Sequence, residues 1–78
     1  MAVEAYVLIQ AEVGKAAEVA SACSEIDGVL SAEDVTGPYD CIIRAKAESV
    51  DELGKLVVSA IQGVHGITRT LTCPIVHL

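Results

Sequence analysis

The hydrophobic residues of this chain alternate with polar ones in four segments and recur at helical spacing in two others. Alternation with period two predicts β-strands, and the four segments that show it are residues 3–11, 29–35, 39–47 and 67–76. The first of these strands has four aliphatic residues on one face and Tyr6 and Leu8 on the other. A strand that is apolar on both faces is expected to lie in a sheet that is covered on both sides.

Two segments between these strands are predicted to be helices. Between residues 15 and 26 the apolar positions recur at intervals of three and four, with a glycine before and after the segment. The second helix begins at an S-x-x-E capping box formed by Ser49 and Glu52. Gly54 inside this helix is less favourable than alanine by about 1 kcal/mol, which suggests close packing there. The predicted apolar stripe of the second helix is Val50, Leu53, Leu56, Val57, Ala60 and Ile61.

The order of the predicted elements is βαββαβ, which is typical of the ferredoxin-like fold in the α+β class. This fold has a four-stranded antiparallel sheet with both helices on one face. Right-handed crossovers place the first and third strands side by side at the centre of the sheet. Glu33 and Asp34 suggest that the second strand lies at a partly exposed edge. Residues 1–78 are thus expected to form a single domain.

The sheet face opposite the helices is left without a cover in this fold. Tyr6, Leu8 and Ile42 are predicted to lie on that face. A contiguous apolar patch on a small protein is typical of an interface. We therefore expect this face to meet the same face of a second chain in a homodimer, as in a dimeric α/β barrel.

Size and composition favour oligomerisation as well. The chain has 78 residues, of which 53% are hydrophobic, and its mean hydropathy is +0.54. So short a domain buries too little surface to be strongly stable by itself. Association with further copies would bury the surplus apolar area.

The charge distribution argues against nucleic acids and membranes as partners. The formal net charge is −6, and the five basic residues are scattered along the chain. No basic stripe is available to neutralise phosphates. No apolar run approaches the roughly 20 residues of a membrane span, and the acidic N-terminal segment does not resemble a signal peptide. The sequence is interpreted as that of a cytoplasmic protein.

The cysteines and histidines give no recognisable catalytic or metal-binding pattern. Cys23, Cys41 and Cys73 are odd in number and widely spaced, so we expect free thiols that pack as small core residues. His65 lies in a glycine-flanked loop and His77 near the C-terminus, and neither has a companion at a catalytic or ligand spacing. The sequence therefore predicts no cofactor, no metal and no catalytic residue.

The most distinctive motif is TGPYD, residues 36–40, which joins the second and third predicted strands. Its Gly-Pro pair favours a hairpin turn. About thirty residues later the chain reads Gly66-Ile67 and then Thr70-Leu71-Thr72. On a βαββαβ pattern, these two motifs together resemble the effector-binding domain of the Lrp/AsnC transcriptional regulators, often called the RAM domain. The resemblance extends over essentially the whole chain.

This resemblance implies a small effector, typically an amino acid, bound at an interface between dimers that often assemble into octamers. Asp40 would bind the ammonium group of the effector, the Gly37 backbone and threonine hydroxyls would bind its carboxylate, and Tyr39 would form a wall of the pocket. The implied effector-binding residues are Thr36, Gly37, Tyr39, Asp40, Thr70 and Thr72.

The resemblance also has a departure. Full-length members of the family begin with a helix-turn-helix domain, whereas this sequence starts directly in its first predicted strand. We therefore expect a stand-alone, non-catalytic RAM domain without a DNA-binding domain, which modulates transcription by assembling with a helix-turn-helix relative.

Other interpretations stay open at this point. A small enzyme of the dimeric α/β-barrel type and an ACT-like amino-acid sensor share the same order of elements, and a pure assembly module would hold no ligand at all. The turn also has a purely structural interpretation, in which Tyr39 covers the sheet edge and Asp40 accepts backbone N–H groups. Arg44 and Arg69 would either pair with acids of a neighbouring subunit or bind a carboxylate.

Overall fold

The computed structural model describes residues 2–76, and within them it confirms the predicted βαββαβ order. His77, for which no role is predicted, lies outside the described residues. The elements are β1 (Val3–Ala11), α1 (Ala16–Ser24), β2 (Val29–Asp34), β3 (Cys41–Ala47), α2 (Val50–Lys55), a π-helix (Leu56–Ile61) that continues α2, and β4 (Ile67–Pro74).

The four strands form one antiparallel sheet in the order β2-β3-β1-β4. The two most apolar strands, β1 and β3, are its central pair, as the crossover rule predicts. β2 lies at one edge, where Glu33 and Asp34 are exposed as predicted. β4 lies at the other edge and pairs with β1 alone among the described strands.

One face of the sheet packs against both helices and forms the core. The alternate residues of β1 and β3 that point to this face have no exposed surface, because the helices cover them completely. They belong to the same clusters as buried side chains of α1, α2 and the π-helix, such as Val19, Leu53 and Ile61. The sheet residues concerned are Ala5, Val7, Ile9, Cys41, Ile43 and Ala45.

The opposite face, called the open face below, has no cover from the described residues. Tyr6, Leu8 and Ile42 lie on it as predicted, because direct partners in an antiparallel pair point to the same side. Leu71 and Cys73 of β4 are on this face too, since they pair with Leu8 and Tyr6 respectively.

The second helix begins as predicted and ends differently. The Ser49 hydroxyl accepts a hydrogen bond from the Glu52 backbone N–H (3.1 Å), as a capping box requires. Beyond Lys55 the helix widens into a π-helix, with the Gln62 N–H bonded to the Val57 carbonyl five residues earlier (2.9 Å). The sequence pattern predicts an ordinary α-helix here and does not indicate this change.

The buried residues of the second helix are compatible with the widening. Leu53, Val57 and Ile61 are buried and recur at intervals of four. In an α-helix with 3.6 residues per turn, each such interval rotates the side chain by about 40° away from the sheet. The wider turn of a π-helix reduces that rotation and keeps Val57 and Ile61 in the core.

Two further predictions for this helix are wrong. Val50 is assigned to the apolar stripe by its sequence position, yet it is 67% exposed, because the stripe that faces the sheet begins at Leu53. Gly54 is not closely packed either, since a Cβ atom built on it would meet no atom of the chain within 4 Å.

The first strand has the predicted ends, and the ends of the remaining elements match the prediction or differ from it by one or two residues, because end positions depend on local hydrogen bonds. No helix within residues 2–76 has the length and apolarity that a membrane span requires.

Candidate functional site

The turn between β2 and β3 is built around the backbone of Gly37 and Asp40. Gly37 adopts φ = +134°, a conformation that L-residues with side chains rarely adopt. The Val35 N–H donates to the Asp40 carbonyl (2.8 Å), which closes the turn. The Asp40 N–H in turn donates to the Ile9 carbonyl of β1 (2.8 Å). Backbone geometry therefore explains why the turn contains a glycine at position 37.

Side chains attach the same turn to the end of β1. The Asp40 carboxylate oxygen Oδ2 accepts a hydrogen bond from the Ala11 N–H (2.8 Å), and Gln10 Nε2 donates to the Pro38 carbonyl (3.2 Å). Asp40 and Tyr39 are half-buried, whereas Thr36 and Gly37 are exposed. The carboxylate thus has a structural partner inside the chain, and its role toward an effector stays a prediction.

The two threonines lie on β4, on the side that faces the helices. Thr70 pairs with Ile9 and Thr72 with Val7, both of which point into the core. Thr70 lines a cavity of about 380 Å³ together with Gln62, Ile67, Thr68 and Arg69. Thr72 lines a different cavity of about 300 Å³ beside α2. No residue of the TGPYD turn lines either of these cavities.

The predicted effector residues consequently do not converge on one pocket within the chain. Asp40 bonds to Ile9 from the β3 side, whereas Thr70 pairs with Ile9 from the β4 side. Two strand spacings, about 10 Å, separate the strands that carry them. A single amino acid held by both groups would need them to approach each other across an interface between chains.

Gln62 is a polar neighbour of this region that no sequence pattern indicates. Its Nε2 donates to the Thr70 hydroxyl (2.8 Å) from the end of the π-helix. Gln62 follows the last apolar residue of the helix and belongs to no motif or periodic pattern. Only the three-dimensional packing of this helix end against β4 reveals the contact.

The open face carries an apolar row that crosses three strands. Leu8 pairs with Ile42 on one side and with Leu71 on the other, and Leu71 is 43% exposed. In the next row Tyr6, 42% exposed, lies between Arg44 and Cys73. These side chains form a continuous surface that no described part of the chain covers.

Arg44 at the margin of the open face has a partner in its own chain. Its Nη2 lies 2.6 Å and its Nε 2.8 Å from Glu4 Oε1, and its guanidinium carbon lies 5.7 Å from the centre of the Tyr6 ring. The hydrogen bond to Glu4 raises the pKa of the Arg44 side chain. Arg44 thus has an ion-pair partner within its own chain, and its suggested pairing with a neighbouring subunit stays a prediction.

The three cysteines are free, but they do not all lie in the core. Cys23 and Cys41 are buried, and burial raises the pKa of Cys23 to about 11 and also raises that of Cys41. Cys73 is only half-buried and lies on the open face beside Tyr6, so its assignment to the core is wrong. The sequence places it on an apolar strand position, which does not distinguish the two faces of an edge strand.

His65 lies in a loop, as predicted, and is exposed there. Within residues 2–76, no three His, Cys, Asp or Glu side chains come together as a group that could hold a metal ion.

Comparison with known proteins bears on this arrangement. Residues 4–77 match the model of the Lrp/AsnC ligand binding domain. The chain is 33% identical over 69 residues to the HTH-type transcriptional regulator FL11 of Pyrococcus abyssi, an alignment that covers 86% of this chain and 45% of the relative. This chain thus spans about half the length of the curated relatives it matches.

Solved structures share the fold over nearly the whole chain. TTHA0845 from Thermus thermophilus superposes with a TM-score of 0.90 at 29% identity, covering 97% of this chain and 95% of that one. The transcriptional regulator NMB0573 of Neisseria meningitidis, solved as a complex with L-Met, has a TM-score of 0.83 at 18% identity and covers 96% of this chain and 50% of that one. With its ferredoxin-like sheet and a family match over residues 4–77, the chain belongs to the Lrp/AsnC family as a ligand binding domain related to transcriptional regulators.

Proposed function

We propose that this chain is a non-catalytic module that binds an amino acid or a related small metabolite and assembles into homo-oligomers in response. The observation that carries the proposal is the match of residues 4–77 to a ligand binding domain. The L-Met complex of the NMB0573 regulator supports an amino acid as the class of ligand. A ligand bound at an interface stabilises the assembly that contains it, so binding would shift the equilibrium between dimers and higher oligomers such as octamers.

Regulation of transcription would then require a relative that carries a helix-turn-helix domain. The chain would act in the cytoplasm. Its net charge of −6 does not favour direct binding to DNA. Co-assembly with such a relative would couple the ligand to DNA binding, because a ligand that prefers one assembly changes the population of all linked states.

The homodimer would form through the open face. Tyr6, Leu8 and Ile42 present a largely aliphatic surface, and the same surface on a second copy is complementary to it in polarity. A two-fold axis through this face makes each contact twice and closes the assembly at two chains. The interface would also supply the apolar burial that so short a chain lacks by itself.

The effector would bind where the turn of one chain approaches β4 of another. Thr36, Gly37, Tyr39 and Asp40 would contribute from the turn, while Thr70 and Thr72 would contribute from β4. This division is supported by the separation of the two groups within a single chain. The Asp40 carboxylate accepts a hydrogen bond from the Ala11 N–H. Its remaining lone pairs can accept hydrogen bonds from an ammonium group.

Native mass spectrometry and sedimentation velocity test this function together. The chain is measured with and without a pool of the common amino acids, and we expect a bound small mass and a shift toward the larger assembly. Asp40→Asn keeps a side-chain oxygen for the Ala11 N–H but removes the negative charge, so it should fold normally and lose ligand. The absence of both a bound mass and a shift, for every amino acid tested, would refute the sensor function.

A pair of variants tests the dimer interface separately. Leu8→Glu places a charge in the apolar row and should give monomers by sedimentation velocity. Val13→Glu makes the same kind of change at a fully exposed loop position (103%) outside the sheet and serves as the matched control. If Leu8→Glu sediments like the wild type, the open face is not the interface.

Thiol labelling gives an independent reading of the same interface. Cys73 lies on the open face and should react more slowly in the wild type than in Leu8→Glu, because the dimer would cover it. Cys41 is buried under the helices and should react slowly in both proteins. Equal rates at Cys73 in both proteins would contradict the interface.

A second candidate function is favoured by one specific observation. The Asp40 carboxylate already has the Ala11 N–H as a partner, which is sufficient to explain an acid in the turn. The chain would then be an assembly module that holds no ligand. Oligomers that depend on Leu8 but never show a bound small mass would identify this function.

A further inference from the structure

The open face has an acid at one margin and a base at the other. On the β2 margin, Glu33 pairs with Ile42 and therefore points to the open face. On the β4 margin, Arg69 pairs with Gln10, which alternates with Leu8 along β1 and lies on the same face. Both charged side chains are exposed. The apolar row of the open face thus lies between a negative margin and a positive margin.

The acid and the base are too far apart to meet within one chain. Glu33 and Arg69 belong to the two edge strands, β2 and β4, with β3 and β1 between them. Three strand spacings separate the two edges by roughly 14 Å. Within residues 2–76, neither side chain takes part in a salt bridge. An ion pair between them is consequently possible only across two chains.

The direction of a two-fold axis decides which margins meet when two open faces stack. An axis parallel to the strands places the β2 margin of one chain over the β4 margin of the other, so Glu33 approaches Arg69 of the partner subunit. An axis that crosses the strands places each margin over its own copy. Acid then faces acid and base faces base, which is unfavourable.

The positions along the strands are compatible with the pair as well. Glu33 lies in the row of Leu8, and Arg69 lies in the next row of the open face. This offset is roughly 7 Å along the strand, and stacked sheets lie about 10 Å apart. Two long side chains that project into this gap from opposite sheets can span it. Charged residues around an apolar centre are also the usual arrangement of a protein interface.

We propose that two copies of this chain stack their open faces about an axis parallel to the strands, so that Glu33 of each copy pairs with Arg69 of the partner subunit. The inference rests on the homodimer of the proposed function and names the orientation and the polar contacts of its interface. The symmetry forms the ion pair twice, once at each side of the apolar row. Attraction at both sides selects this orientation over the one in which like charges approach each other.

Charge reversal at each margin tests the pair. Glu33→Lys places a base opposite Arg69 of the partner subunit, and Arg69→Glu places an acid opposite Glu33. Each variant should dimerise at least about tenfold more weakly than the wild type in sedimentation equilibrium, because two attractive contacts become repulsive. The double variant restores opposite charges at both sides and should dimerise about as strongly as the wild type.

A mixture of the two single variants tests whether the pair joins two chains. In a heterodimer of Glu33→Lys with Arg69→Glu, a lysine meets a glutamate at one side, and the native pair of Glu33 and Arg69 forms at the other. The mixture should therefore form heterodimers in preference to either homodimer, and native mass spectrometry measures the proportions. Random proportions would contradict the pair.

Asp34→Lys is the matched control for the charge change. Asp34 is exposed and adjacent to Glu33 on β2, but it pairs with the buried Cys41 and therefore points to the helix side. The substitution changes the net charge as Glu33→Lys does, at the same edge of the sheet. Its dimerisation should stay close to that of the wild type.

Four results would overturn the inference. Wild-type dimers that tolerate both single reversals would place Glu33 and Arg69 outside the contact while leaving the homodimer intact. A double variant as weak as the single ones would show that the two positions do not contact each other. Equal weakening in Asp34→Lys would attribute the effect to net charge. A wild-type chain that stays monomeric would instead refute the homodimer of the proposed function, and the inference with it.

Discussion

Ile42 and Ile43 are neighbours on β3, yet they lie in different surroundings. Ile43 points to the helices and has no exposed surface, whereas Ile42 points to the open face and is only half-buried. Both faces of the central strands carry aliphatic rows, but within residues 2–76 helices cover only one of them. A two-layer domain buries one apolar face of its sheet under helices. The apolar row on the other face therefore indicates a contact with another molecule.

The largest expected effect tests this difference directly. Ile43→Ala removes buried methyl groups and leaves a cavity between sheet and helices, so the free energy of unfolding should fall by about 2–5 kcal/mol. Urea unfolding at several protein concentrations measures it, and the loss should not depend on concentration. Ile42→Ala is the matched control on the open face, and its smaller loss should grow with protein concentration as dimers form. Similar, concentration-independent losses would contradict the distinction between the two faces.

The helix-covered face should also respond to alkaline pH. Burial raises the pKa of Cys23 to about 11, above the ordinary value of 9.0. Between these two pH values the unfolded chain releases the proton and the folded chain keeps it, so the free energy of unfolding falls as pH rises. The Cys23 thiol therefore contributes about 2–3 kcal/mol to the free energy of unfolding below pH 9, and this contribution is lost as the pH rises to 11.

Urea unfolding under reducing conditions across this pH window measures the slope. Cys23→Ala should make it shallower without abolishing it, because burial also raises the pKa of Cys41. A slope that is as steep in Cys23→Ala as in the wild type would show that other groups are responsible.

The separation of the two faces depends on the register of the central strands. A slip of one residue would move every core side chain of a strand to the open face. Asp40 fixes the register at one end of the β1–β3 pair, through its backbone bond to Ile9 and its carboxylate bond to Ala11. Asp40→Ala should lower the free energy of unfolding by about 1–3 kcal/mol, because the half-buried Ala11 N–H loses its acceptor.

Asp40→Asn is the control for this effect. Its amide oxygen can still accept from Ala11, so urea unfolding should show a much smaller loss than for Asp40→Ala. If both variants are equally destabilised, the charge of Asp40 and not its hydrogen bond stabilises the turn.

The sequence predicts the fold well because local and global signals agree. The alternation of β1 places Ala5, Val7 and Ile9 on the helix side and Tyr6 and Leu8 on the other, and the crossover rule then orders the sheet. The π-helix escapes prediction because an interval of four between buried residues is compatible with an amphipathic α-helix at the level of pattern. Only the packing of Val57 and Ile61 against the sheet decides between them.

The candidate site is less predictable for a different reason. Sequence motifs identify Asp40 and Thr70. Neither motif shows that these two residues lie on opposite sides of Ile9 in the sheet. Gln62 reaches Thr70 through a helix end whose position depends on the π-helix before it. Gly54 illustrates the limit best, since glycine signals close packing in one helix and an open cavity in another, and only the surroundings distinguish them.

The smallest expected effect on the single chain comes from Arg44 at the margin of the open face. Its ion pair with Glu4 is substantially exposed in one chain, and exposed pairs contribute little to stability. Arg44→Met in the Leu8→Glu background, where we expect monomers, should therefore leave the urea midpoint nearly unchanged.

A dimer through the open face would remove water from this pair, and removing the guanidinium would then leave a buried carboxylate with less compensation for its charge. Arg44→Met in the otherwise wild-type chain should accordingly weaken dimerisation by at least about tenfold in sedimentation equilibrium. Unchanged dimerisation would place Arg44 outside the interface and confine the contact to the apolar row of Leu8, Ile42 and Leu71.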